Sequence, residues 1–256
     1  MKRLRVGQIV YPLLAFILVI VGWEVYVAVT GVATLLLPSP RLVGAQLAGQ
    51  WHILLSEGLY TLEETVLGFL LAALIAVPIA VALVYSRVLQ RAIYPWLIAS
   101  QSVPKIAIAP VVLLWLGIGT GSRVVIALLS AIFPIVIATA TGLAATPPEM
   151  LDLSRALRAS PWHTFWKVRF INALPHVFSG LKVATTLAVV GAVVGEFVAA
   201  NHGLGHLILT STAQAQTALA FAALVALSIL GMLLFAAVML AERLLVPWAT
   251  PIEEAA

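Results

Sequence analysis

Residues 217–240 read TALAFAALVALSILGMLLFAAVML, twenty-four consecutive positions without a charged side chain. A bilayer core about 30 Å thick is crossed by a helix of about 20 apolar residues, so this stretch is long enough to span one. Five more predominantly apolar runs of similar length lie upstream, at 8–29, 62–85, 93–116, 124–145 and 176–199. They are continuously apolar rather than alternating over about ten residues, which selects helices over a barrel. The fold class expected is therefore all-α, a polytopic membrane protein of about six spans.

Composition agrees with that expectation. Of 256 residues 62% are hydrophobic and 9% charged, and the mean hydropathy is +1.11. With the N-terminus inside, Lys2, Arg3, Arg5, Arg87, Arg91, Arg155, Arg158, Lys167, Arg169 and Arg243 fall on the cytoplasmic side, and only Arg41 and Arg123 face out. Short cytoplasmic loops carry the excess of Lys and Arg, so both termini are expected in the cytoplasm, and the net charge of +4 reflects topology rather than nucleic-acid binding. The first run is too long for a typical signal h-region and is expected to anchor the chain. The absence of cysteine excludes disulfides, thiol catalysis and cysteine-based metal sites.

The loop after the first span holds Leu37-Pro38-Ser39-Pro40 and then, over 43–55, a short helix expected at the outer surface. The third run is interrupted by Pro95, Pro104 and Pro110 and carries Lys105 near its middle. Proline removes a backbone donor, which lipid tolerates only where neighbours or a watery cavity satisfy the freed carbonyl. An ionisable group at the centre of a span costs at least about 2.5–3.5 kcal/mol and is by default a functional candidate. Gln101, Ser102 and Lys105, with Glu196 in the fifth run, are accordingly expected to line a translocation pathway. Lys182 is expected to snorkel, and Glu24, Glu63 and Glu64 to be interfacial. Gly191 and Gly195 form a GxxxG pair that permits close helix approach, on a span that could line a dimer axis. His202 and His206 are spaced for a metal only if helical, and Gly203 and Gly205 favour a loop, so no metal is expected.

Between the fourth and fifth spans, residues 146–175 form the longest cytoplasmic segment. Thr146-Pro147-Pro148-Glu149 reads as a capping box with proline at the first helical position, and Ser160-Pro161 as a second cap. Met150, Leu153 and Leu157 take one face of the helix between them; Asp152, Arg155 and Arg158 take the other. From the residues alone, such a pair of helices either floats on anionic headgroups or docks a partner protein. No Walker A pattern occurs anywhere, so any ATP hydrolysis belongs to another subunit.

This segment resembles the EAA loop of type I membrane permeases of ATP-binding-cassette importers, in the nitrate, sulfonate and taurine branch. Asp152-Leu153-Ser154, Arg158-Ala159-Ser160, Val168-Arg169-Phe170-Ile171 and Pro175 carry the likeness, with Asp152 in place of glutamate, Arg158 in place of glycine and Ile171 in place of proline. Leu37-Pro38-Ser39-Pro40, Val103-Pro104-Lys105 through Pro110, Leu114-Trp115-Leu116-Gly117-Ile118-Gly119, Phe133-Pro134, and Glu196 followed by Gly203-Leu204-Gly205 extend it along the chain.

The resemblance implies one permease domain over 1–256: an N-terminal span (1–36), an outer loop (37–60), a five-span core (61–240) containing the coupling loop (146–175), and a cytoplasmic tail (241–256). It implies that Asp152, Ser154, Arg155, Ala156, Arg158, Ala159 and Ser160 contact an ATPase. The expected partners are a second permease copy, two cytoplasmic ATPase subunits holding ATP and Mg, and an extracytoplasmic solute-binding protein; the chain itself is expected to have no cofactor and no catalysis. An ion-gradient transporter is the alternative, although no inverted repeat and few buried acids are present to support one.

Overall fold

The computed structural model of the chain describes residues 6–248, so Lys2, Arg3, Arg5 and the tail beyond 248 lie outside the described residues. Eleven α-helices account for most of these: α1 (Val6–Thr30), α2 (Pro40–Gly49), α3 (Trp51–Tyr85), α4 (Arg87–Gln101), α5 (Lys105–Leu116), α6 (Thr120–Ala144), α7 (Pro148–Ala156), α8 (Pro161–Thr164), α9 (Phe170–Ala199), α10 (Leu204–Ala213) and α11 (Thr217–Leu245). A π-helical turn, Phe165–Arg169, joins α8 to α9. Among the described residues five helical stretches are long and apolar enough to cross a membrane, and α4 with α5 forms a bent sixth.

The core is α3, α6 and α9, and small residues make it. Ala72, Ala76 and Ala80 of α3, Ala131 and Ile135 of α6, and Ala184 and Ala188 of α9 are fully buried against one another. Lipid supplies no hydrophobic drive between spans, so close backbone approach is what holds them, and glycines allow it. A Cβ on Gly68 would stand 2.5 Å from the Ala127 Cβ, and one on Gly180 would stand 2.6 Å from the Ala138 Cβ. The GxxxG pair is used in the same way: Gly191 meets Ser130 and Ala127, and Gly195 meets Arg123, all on α6 of the same chain. These glycines therefore serve packing of α9 against α6 inside the chain.

Three features differ from expectation. The helix expected over 43–55 is split at Gln50, where ψ turns to 21°: α2 ends before it, capped at its start by Ser39, and α3 runs unbroken from Trp51. The third span is not one helix. It breaks after Ser102, and its arms 87–100 and 105–116 are bent by 103°. Pro104 has no N–H to offer and is itself extended, at φ −62° and ψ 116°, whereas Pro95 and Pro110 sit inside helices without ending them. The turn 202–206, expected as loop, opens α10, which at ten residues is too short to span.

Candidate functional site

Three places carry the polar chemistry of the chain: the elbow between α6 and α9, the break in the third span, and the end of the bundle where α10 sits.

At the elbow, α7 begins with Pro148 at its first position, where a missing N–H costs nothing. Thr146 is not its cap. Its hydroxyl donates to the Leu143 carbonyl instead, 3.1 Å away, and closes α6. Asp152 and Arg155 pair at 2.8 Å with both side chains exposed. Ser154 is the buried residue of the turn, donating to the Met150 carbonyl at 2.9 Å. Ala156 and Ala159 are exposed, as are Met150, Leu153 and Leu157. An apolar stripe thus stands open beside a charged one.

α7 ends in a way that explains the family's glycine. Arg158 adopts φ = +49°, and this lets the Ala159 N–H reach back to the Ser154 carbonyl at 2.9 Å. Left-handed backbone at a helix C-terminus is the natural place for glycine. Arg158 occupies it with a side chain, at the position where the resembling loop has glycine. Ser160 then caps α8 by accepting from the His163 N–H at 3.3 Å. Beyond it Trp162, Phe165, Trp166 and Phe170 stack edge to face, and the Arg169 guanidinium lies 5.3 Å from the Tyr85 ring centre at the end of α3.

At the break, Ser102 is exposed and Lys105 is the half-buried first residue of α5. A cation at the positive end of a helix dipole is opposed by it. No ion pair to Lys105 is found among the described residues. Gln101 closes α4, and its side chain lies outside the described ones.

At the α10 end Glu196 is buried, and both carboxylate oxygens are occupied by the protein. The Thr61 hydroxyl donates to Oε1 at 2.6 Å and the Gly205 N–H to Oε2 at 2.6 Å. Thr61 accepts from the Leu204 N–H at 2.8 Å, and Glu57 accepts from the Gly203 N–H. Three acceptors from α3 and α9 thereby hold the first N–H groups of α10, which no helix can satisfy internally. Gly203, at φ = +111°, and Gly205 are required there, because a Cβ on either would run into the Glu196 carboxylate. Glu196, expected on the pathway, is thus an interior anchor: 1% of it is exposed. It does not meet Lys105.

Beside it the chain hides an ion pair that the sequence reading missed. Arg123 Nε donates to Glu64 Oε1 at 2.6 Å, with side chains 9% and 1% exposed. Glu64 was expected to be interfacial and is interior, as is the Arg123 side chain it meets. The signal available was an arginine in the first turn of an otherwise apolar run, and nothing in the sequence named its partner 59 positions away. Lys182 does not snorkel either, since it pairs with Glu242 of α11 at 2.9 Å. Glu24 meets Arg41 at 3.2 Å near the surface. His202 stacks on Tyr60, and no group of three His, Cys, Asp or Glu side chains among the described residues is placed to hold a metal.

Residues 65–250 match the family described as binding-protein-dependent transport system inner membrane component. The chain is 36% identical to a probable ABC transporter permease protein of Haemophilus influenzae, over 89% of this chain and 93% of that one. It is 34% identical to a formylaminopyrimidine transport permease of Halalkalibacterium halodurans, over 95% and 98%. Among solved structures, an inward-facing form of the MetNI methionine ABC transporter superposes with a TM-score of 0.65 at 22% identity, covering 80% of this chain and 99% of that one.

Proposed function

We propose that this chain, which belongs to the family of binding-protein-dependent transport system inner membrane components, carries a small solute into the cytoplasm by alternating access, driven through its α7–α8 elbow. It is the membrane-spanning permease of an ABC importer and not an enzyme; the ATPase is a separate subunit. Family membership leaves the ion-gradient alternative without support. The reading adopted here is a homodimer with both termini cytoplasmic, two ATPase subunits that hold ATP and Mg, and an extracytoplasmic binding protein that delivers solute.

The observation that carries this reading is the open face of α7. Met150, Leu153 and Leu157 are apolar side chains more than half bare to solvent or nearly so, in an elbow joining the two most deeply packed spans, α6 and α9. An apolar stripe flanked by Asp152, Arg155 and Arg158 is suited to insert into a partner's groove. Ser154, Ala156, Ala159 and Ser160 shape the turn that presents it. Movement of the elbow reaches the bundle through α6 and α9, and a bistable bundle whose two states the ATPase biases gives alternating access. Gln101, Ser102 and Lys105 stay in the proposed pathway at the broken span, while Glu196 leaves it. The relative that transports formylaminopyrimidine supports a small organic solute as cargo.

The test is co-purification in detergent with the ATPase subunit. Intact chain should retain the ATPase; Asp152→Ala, Arg155→Ala and Arg158→Ala together should release or uncouple it while the permease stays folded. Retention of fully coupled ATPase by the triple variant would remove these charges from the interface.

A further inference from the structure

Helix α9 has two faces. Ala184, Ala188 and Ala192 are buried in the core, while Ser179, Val183, Thr186 and Val190, spaced three and four apart, stay exposed. Thr186 looks across to α11, and between the two helices lies a cleft of about 380 Å³ lined by Thr186, Val189, Ser228, Gly231, Met232 and Phe235 among others. That volume falls within the range of small-molecule sites.

Among the described residues of this chain nothing packs against Gly231 that would require glycine. A Cβ there would meet nothing within 4 Å, yet glycine in a helix interior costs about 1 kcal/mol relative to alanine. Its missing side chain leaves space in the cleft, and close backbone approach to a ligand is a use to which glycine is put.

The two hydroxyls define the chemistry. Thr186 Oγ1 donates to the Val183 carbonyl at 2.8 Å and Ser228 Oγ donates to the Leu224 carbonyl at 2.9 Å. A hydroxyl has one proton, and both protons are committed, so each oxygen offers only lone pairs. No charged side chain lines the cleft. The nearest cation along α9, Lys182, is already paired with Glu242. A sulfonate or nitrate would bring charge and acceptors to a place that supplies neither donor nor countercharge. A flat ring bearing N–H groups would find two acceptors, the face of Phe235 and the thioether of Met232.

We propose that the α9–α11 cleft is a solute subsite for a small, uncharged nitrogen heterocycle with N–H donors, held by Thr186 and Ser228 and admitted by Gly231. This rests on the importer reading above.

The chain's lack of cysteine makes Leu227→Cys and Met232→Cys, lining positions that leave both hydroxyls in place, single reporters in the complete transporter in lipid nanodiscs. A charged, membrane-impermeant methanethiosulfonate should label both about tenfold or more faster than Leu74→Cys, an exposed position on α3. Formylaminopyrimidine should slow that labelling by a similar factor, ethanesulfonate should not, and adding Gly231→Leu should abolish the protection. Labelling no faster than at Leu74→Cys would mean that lipid or a second copy covers the cleft, and would overturn the proposal. So would protection by ethanesulfonate, or none by formylaminopyrimidine. ATPase retention in the same samples separates the outcomes: if it persists while the labelling pattern fails, the importer reading stands and the subsite falls.

Discussion

Removing Arg123 should damage this protein more than removing Arg123 and Glu64 together. The two side chains are almost wholly buried and 2.6 Å apart, and the second oxygen of Glu64 has no partner among the described residues. In Arg123→Met the Glu64 carboxylate keeps its burial and loses its one strong donor. Breaking a buried pair in this way costs about 3–5 kcal/mol, whereas replacing both members by apolar groups of similar volume is often neutral. At an effective dielectric of about 20 the direct attraction is about 6 kcal/mol at this distance, so the cost of desolvation consumes most of it. The expectation is therefore a loss of about 3–5 kcal/mol for Arg123→Met, a similar loss for Glu64→Leu, and about 0–1 kcal/mol for the double variant. Reversible unfolding in mixed micelles, with each protein also checked for ATPase retention, closes the cycle. Losses that simply add, giving a double variant worse than either single, would refute a pair isolated from other charges and would place a further partner on Glu64 or Arg123.

Arg158→Gly should stabilise the elbow by about 1 kcal/mol, because glycine adopts φ = +49° without the Cβ penalty; unfolding of the α7–α8 segment followed by hydrogen exchange would show slower opening. Gly205→Ala should destabilise by about 2 kcal/mol or more, since its Cβ would fall 2.6 Å from the Glu196 carboxylate, and faster exchange confined to α10 is the expected sign. Glu196→Gln should be tolerated and Glu196→Leu should not. The amide oxygen can accept from Gly205 while its NH2 donates to Thr61, whose own proton turns to the Glu57 carbonyl 3.3 Å away; leucine leaves the buried Gly205 N–H without an acceptor and the Thr61 hydroxyl with that long bond alone, and thermal stability measured in detergent distinguishes the two.

What the sequence revealed and what it concealed divide along physical lines. Span count was legible because lipid enforces runs of about 20 apolar residues, and the cap at Ser160 because its spacing is local. The break at Pro104 was half legible: three prolines marked the span, but which of them ended the helix depends on where the freed carbonyls find partners. Pairings across the bundle were illegible. Glu64 with Arg123, Lys182 with Glu242, and Glu196 with the α10 N–H groups join positions that only packing brings together, and each looked like an isolated charge in the sequence. Glu196, read from the sequence as a pathway residue, is one such charge: its partners, Thr61 and Gly205, are met only in the packed bundle.

The placement of these pairs bears on how the bundle can move. At the α10 end, α3, α6, α9 and α10 are joined by one buried ion pair and a set of carboxylate and hydroxyl bonds to backbone N–H groups. Buried polar bonds of this kind are strong when satisfied and costly when opened, so elements they join are expected to travel together. At the other end α7 is held by its own turn and by Ser154, with its apolar stripe uncovered. Between the two ends stands the bent pair α4–α5, whose break at 102–104 is not bridged by a side-chain hydrogen bond among the described residues. Force applied at the elbow would therefore pass along α6 and α9 to a rigid far end, and the joint free to yield would be the one beside Lys105. On the proposed importer reading, that joint lies beside the cation assigned to the pathway.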